Sequence, residues 1–239
     1  MVHNKFMTQS YRRRRAILFI VVFLTLSVIL IINFPKQNNS SLEPVIKPRQ
    51  TTASPAIDAL EKLAIKGRAP KTGYNRDQFG KGWATTNGCD TRNIILHRDL
   101  IDAKVDEKCN VTSGVLNDPY TGKTTNFTRG GETSGAVQID HVVALSDAWQ
   151  KGAQQLTLER RTALANDPLE LLAVDGPANL QKSDGDAATW LPPNKAFRCG
   201  YVARQVAVKQ KYALWVTRAE YDAIANILAK CPGQLLPIP

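Results

Sequence analysis

The spacing of apolar positions changes from segment to segment along the chain, and each change marks an element. From Ser54 and Pro55 the apolar series Ile57, Leu60, Leu63 and Ala64 repeats at helical spacing. Ser caps, Pro takes the first helical position and Gly67 stops the helix. Residues 68–132 are rich in Gly, Asn, Asp and Thr with short apolar runs such as Asn93 to Leu96, so loops and short strands are expected, with a turn at Asn117-Asp118-Pro119. Val137-Gln138-Ile139 reads as a short strand leading into Asp140 and His141, and Leu169 to Val174 as a second, bounded by Pro168 and Asp175-Gly176-Pro177. Between them lie two short helical patterns, Ala144 to Gly152 and Thr157 to Ala165. Helical pattern resumes at Ala178 until Leu191-Pro192-Pro193 breaks it. A helix near Arg198 to Leu214 precedes another that opens on a capping box, Thr217 and Glu220, and continues through Tyr221, Ile224, Ile227 and Leu228. The last two form a helical hairpin.

The N-terminus differs in kind. Ala16 to Phe34 runs about 19 residues without a charge, close to the ~20 that span a bilayer as a helix. Arg12, Arg13, Arg14 and Arg15 precede it and no comparable cluster follows, which places residues 1–15 in the cytoplasm and everything after Phe34 outside. A cleaved signal peptide is the competing reading, although its apolar region is ordinarily shorter and ends at a small-residue cleavage site. Residues 35–54, rich in Asn, Ser, Pro, Lys and Thr, read as a flexible linker, leaving 55–239 as one folded domain.

This layout changes the meaning of the net charge of +10. Residues 1–50 hold eight Lys or Arg against one acid, so +7 of the charge sits beside the apolar segment and only +3 belongs to the remainder. The basicity is mostly topological and is weak support for a polyanion partner. Cys89, Cys109, Cys199 and Cys231 are even in number and contain no CxxC pair, which disfavours a zinc knuckle and fits disulfides formed outside the cytoplasm. Sequence order favours Cys89 with Cys109 and Cys199 with Cys231; the other two pairings, and free buried thiols, stay open.

The candidate chemistry centres on Asp140 and His141. A carboxylate can hold a hard divalent cation while an imidazole takes a proton from water. Alone the dipeptide says little, because most histidines are ordinary core or surface groups. Some forty residues on, a strand and a Gly-Pro turn lead to Asn179, Lys182, Asp184 and Asp186. Acids in such a turn, Asp175, Asp184 and Asp186 included, are ordinarily turn formers. Trp83, Trp149, Trp190 and Trp215 are better read as core than as base-stacking platforms. The sequons at Asn110 and Asn126 matter only in a eukaryotic secretory route.

Taken together, Val137-Gln-Ile-Asp-His-Val-Val-Ala-Leu, the Asn179-x-x-Lys182-x-Asp184 segment and Trp190-Leu-Pro-Pro resemble the HNH endonucleases, in particular the secreted DUF1524-type branch similar to the C-terminal domain of GmrSD-like restriction proteins. The likeness runs from about Trp83 to Cys231. It implies an α+β fold with a ββα-metal (His-Me finger) core, additional helices and disulfide bracing. It further implies that Asp140 and Asn179 ligate one Mg²⁺ or Mn²⁺, that His141 is the general base, and that nucleic acid, DNA before RNA, is the substrate. Lys182 would meet phosphate, or be an ordinary surface lysine. Arg92 would brace phosphate, or pair with Asp90 or Asp99. Many relatives carry Asn on the second strand to orient the histidine; here Glu170 stands there, and a carboxylate in contact would raise the imidazole pKa, unless it faces solvent and another group orients His141. The expected protein is thus a membrane-anchored or secreted endonuclease, with the membrane met through residues 16–34 and no obligate protein partner evident. A non-catalytic, disulfide-braced surface module is the alternative; a glycan hydrolase lacks the opposed carboxylate pair it would need.

Overall fold

The computed structural model of the protein describes residues 55–131 and 133–238. The expected basic N-terminus, membrane span and linker, and the Ser54 cap, lie outside the described residues; within those described, no helix is long and apolar enough to cross a membrane. In chain order the elements are α1 (Ala56–Leu60), a 3-10 turn (Arg76–Phe79), β1 (Thr85–Thr86), β2 (Cys89–Asp90), α2 (Thr91–Asp99), β3 (Ile101–Val105), β4 (Val111–Asn117), β5 (Thr124–Thr128), β6 (Val137–His141), α3 (Leu145–Gln150), α4 (Leu158–Ala165), β7 (Leu171–Asp175), α5 (Gly176–Lys182), α6 (Arg198–Lys211) and α7 (Arg218–Leu228). The fold is mixed α and β.

Strands β6 and β7 pair antiparallel, from Val137 opposite Asp175 to His141 opposite Leu171. Because strand side chains alternate between faces, Val137, Ile139, Leu171 and Ala173 enter one apolar cluster, with Ile95 and Leu96 of α2 and Val111, Leu116 and Phe127 of the antiparallel sheet β3-β4-β5. Leu172 and Val174 enter the larger cluster, built with α1, α3, α4, α6 and α7. The two-stranded sheet therefore lies between two cores, with its His141 end open to the surface clefts described below.

Helix α5 follows β7 without a loop. The Asp175 carboxylate accepts from the Ala178 N–H at 2.9 Å and Pro177 lies in the first turn, so the expected turn at Asp175-Gly176-Pro177 is the helix's own cap and start. A Cβ on residue 176 would lie 2.1 Å from the Gly135 carbonyl oxygen; only glycine lets the two backbones meet there. The helix stops at Ser183, whose φ is 52°.

Elsewhere tertiary contacts redraw the expected elements. The first helix ends at Leu60 rather than near Gly67 because Ile65 pairs with Val216 and the Lys66 N–H donates to the Val216 carbonyl at 3.0 Å. Helix α2 occupies a stretch expected to be loop and strand; the Asp90 carboxylate caps it by accepting from Asn93 N–H at 2.7 Å. Thr217 caps α7 as expected, accepting from Glu220 N–H at 3.1 Å. The Glu220 side chain leaves the capping box and turns inward, where it meets Lys151 at 2.6 Å and Lys209 at 3.0 Å.

That inward turn completes a buried ion cluster. The Lys151 ammonium also lies 2.7 Å from Asp147 and 2.7 Å from Asp186, and Arg68 reaches the same two carboxylates at 2.9 and 2.7 Å. Three carboxylates thus face three cations and the group is close to neutral, the condition under which buried charge is tolerable. Asp186, expected to be a simple turn former, is one of its anchors. The cluster ties α3, the segment after α5, α6 and α7 to the chain at Arg68. Disulfides Cys89–Cys109 and Cys199–Cys231 follow the pairing that sequence order favoured, with Cα separations of 5.3 and 6.2 Å.

Lys151→Met leaves three buried carboxylates facing two cations, Arg68 and Lys209, and is expected to cost roughly 3–5 kcal/mol in urea unfolding; a loss below about 1 kcal/mol contradicts a stabilising role for the cluster. Burial alone would raise the Asp186 carboxyl, but the hydrogen bond and charge of Lys151 outweigh it and hold it below the usual range. Its stabilisation is therefore present above the unfolded carboxyl value of about 3.9 and is lost as pH falls through the lower folded value. Asp186→Asn is expected to flatten the loss of stability below about pH 4, read as thermal midpoint against pH.

Candidate active site

His141 is the last residue of β6, and two features fix its ring. Its Nε2 lies 2.9 Å from the Ala165 carbonyl at the end of α4. A carbonyl only accepts, so Nε2 carries the proton and Nδ1 keeps its lone pair. Trp83 lies parallel to the ring, 7° between planes and 5.6 Å between centroids. Burial pushes the imidazole pKa down to about 3, partly opposed by the Ala165 contact and reinforced by Arg76 and Lys182. The ring is neutral at neutral pH, and its Nδ1 lone pair has no hydrogen-bond partner among the described residues.

Glu170 does not play the part expected of it. It is fully buried and its carboxylate accepts from the Val143 N–H at 3.2 and 3.3 Å, while its carbonyl accepts from Val142 N–H at 2.9 Å. It therefore holds the chain that leaves β6, and burial raises its carboxyl well above the usual range. The ring partner is a backbone carbonyl instead, and the imidazole pKa moves down rather than up.

Asp140, one residue earlier, points into the larger core. Lys182 Nζ donates to its Oδ1 at 2.9 Å and Tyr120 Oη donates to its Oδ2; Lys182 also donates to the His141 carbonyl at 2.8 Å. Burial raises the Asp140 carboxyl, against the opposing pull of Lys182 and Tyr120. Tyr120 arrives on the turn after β4. There the Asp118 carboxylate accepts from Thr121 N–H at 2.7 Å and from Asp175 N–H at 2.9 Å. Trp190 and Tyr201 meet the Tyr120 ring edge-on at 5.0 and 5.7 Å. The Trp190-Leu-Pro-Pro element thereby supports the tyrosine that supports Asp140.

Asn179 stands one turn before Lys182 on α5, and its amide donates to Gln138 Oε1 at 2.9 Å. Asp140, Gln138, Asn179 and His141 line one open cleft of about 460 Å³. Lys182 is buried and spent on Asp140 and the His141 carbonyl rather than offered to phosphate. Arg92, on α2, is half-buried beside Arg129, its pKa lowered by burial and by that neighbour, and it lines neither cleft at His141.

Among the described residues no group of three or more His, Cys, Asp or Glu side chains is gathered around a point. Asp140, Gln138 and Asn179 share the cleft with a second carboxylate, Asp184, which is taken up by Lys71 and Ser146. Each Asp140 oxygen has acceptor capacity beyond its one hydrogen bond, and a set of this kind fits a hard cation that keeps waters and takes phosphate oxygens. The set does not resemble a zinc site.

Sequence reasoning missed Tyr120 and Arg76, gave Gln138 no role within the quoted motif, and read Trp83 as core. Gln138 was findable, two residues before Asp140 and so on the same strand face. Tyr120 and Trp83 carried no local signal, since both reach the site by tertiary folding.

The family described as the C-terminal domain of GmrSD restriction endonucleases matches residues 90–227. The match takes in β6, β7 and α5 and leaves out the segment bearing Arg76 and Trp83. A similar protein is an uncharacterized secreted protein of Arthroderma benhamiae, 38% identical over 187 residues that cover 77% of this chain and 88% of that protein.

With a pKa near 3, the His141 ring is expected to remain neutral, protonated at Nε2, at pH 5, where an ordinary imidazole is mostly charged. Ring nitrogen NMR shifts check this; a ring charged at pH 5 contradicts the burial described.

Proposed function

Because the chain belongs to the family of GmrSD restriction endonuclease C-terminal domains, we propose that it is a metal-dependent endonuclease acting on nucleic acid outside the cytoplasm. The observation that carries the reading is the neutral His141, its Nε2 held by Ala165 and its Nδ1 uncommitted, beside a cleft lined by Asp140 and Asn179. In this reading β6, β7 and α5 are the ββα unit of an HNH enzyme. DNA is the first substrate to test, with RNA second.

His141 Nδ1 takes a proton from a water molecule, whose oxygen attacks phosphorus as the bond to the 3′-oxygen breaks; the leaving oxygen takes a proton from solvent. Asp140 and Asn179 would hold one divalent cation, with Gln138 close by, and that ion when bound supplies neutralisation of the phosphate's charge. Lys182 and Tyr120 set the Asp140 carboxylate, and Ala165 sets the imidazole. The site needs no covalent enzyme intermediate. The outside location is supported by the two disulfides and by the secreted relative.

Purified protein incubated with plasmid DNA and with RNA is expected to nick and linearise or shorten them in Mg²⁺ or Mn²⁺, to stop in EDTA, and to lose at least about 100-fold in rate as His141→Ala. Intact nucleic acid under every divalent ion tried, or a variant as fast as the parent, refutes the nuclease reading and leaves a binding module in its place.

A further inference from the structure

Residues before Asp90 lie outside the family match, yet part of that stretch walls the candidate site. Two clefts meet at His141. One is lined by Asp77, Phe79, Gly82 and Trp83; the other is the Asp140 and Asn179 cleft, and Arg76 lines both. Its guanidinium is exposed and is within ion-pair distance of no carboxylate among the described residues. The other cations at the Asp140 cleft are committed. Lys71 pairs with Asp184 at 3.3 Å and covers the Tyr74 ring, and Lys182 is buried on Asp140.

The turn that carries Arg76 is anchored. Asn75 caps it, accepting from Gln78 N–H at 3.1 Å, and Arg161 of α4 donates to the Gln78 carbonyl at 2.6 Å and to its side-chain oxygen at 3.2 Å. Phe79 is buried edge-on against Trp149, 6.3 Å between centroids. Gly80, with φ of 97°, presses so closely on Thr162 that a Cβ would lie 3.1 Å from that side chain. Helix α4 thus fixes both the base, through Ala165, and the turn bearing the arginine. The turn is fixed and the exposed guanidinium has no competing partner among the described residues, so it is free to take a planar anion.

We propose that Arg76 binds a backbone phosphate of the nucleic-acid strand lying across His141, the part the sequence had given to Arg92. The proposal rests on the nuclease reading and adds its substrate contact. A phosphate contact carries no base information, so Arg76 sets affinity and register without sequence preference.

The test measures binding of the purified chain to fluorescent single- and double-stranded DNA in EDTA, as a function of salt. Arg76→Gln is expected to weaken binding several-fold at low salt. It is also expected to lower the salt slope by about 0.9 on duplex or 0.7 on single strands, one phosphate's share. Arg76→Lys keeps most of the slope, and Arg218→Gln, an exposed arginine on α7 paired with Asp222, changes nothing. In cleavage assays Arg76→Gln raises KM more than it lowers kcat. A parent that neither binds nor cuts nucleic acid overturns the nuclease reading and this one with it. A parent that binds, with an Arg76→Gln slope equal to its own, overturns the arginine assignment alone.

Discussion

A carboxylate in a protein core is tolerable only when cationic and hydrogen-bonding partners replace the water it has lost. Asp140 has both, and they come from distant parts of the chain: Lys182 from the end of α5 and Tyr120 from the turn after β4. The carboxylate is satisfied only when β6, β7 with α5, and the β4–β5 turn have assembled. The second bond of Lys182, to the His141 carbonyl, fixes the end of β6 as well. One ion pair therefore sets the relative positions of strand, strand and helix, and places Asp140 and Asn179 in the same cleft.

The imidazole is held by different means. Trp83 and the Ala165 carbonyl restrict its plane and tautomer, and burial keeps it neutral. Helix α4 supplies that carbonyl and also grips the turn at Arg76–Phe79, so the imidazole and an exposed cation that lines its clefts share one support. Behind them the cluster of Lys151, Lys209 and Arg68 with Asp147, Asp186 and Glu220 locks the helices together. The proposed chemistry stands on charge pairs buried for position, with the exposed groups left for substrate.

Much of this was legible in the sequence because it is local. The strand into Asp140-His141, the second strand, the helices at Leu145, Leu158, Arg198 and Arg218, and both disulfide pairings follow from periodicity, caps and order along the chain. What failed was set by partners far away. The first helix was cut short by Val216, Glu220 left its capping box for two buried lysines, and Lys182, which reads as a surface residue, was drawn inward by Asp140. Glu170 stands where an orienting residue was expected, yet the ring is oriented by a backbone carbonyl, which no side-chain pattern reveals.

In the proposed function Asp140 and Asn179, set by Lys182 and Tyr120, hold the catalytic cation beside His141. Anomalous diffraction from crystals soaked in Mn²⁺ with a short non-hydrolysable oligonucleotide tests it most directly. The account predicts a manganese peak in contact with Asp140 and Asn179, with a phosphate between it and His141. A peak elsewhere, or none while the oligonucleotide is bound, contradicts it.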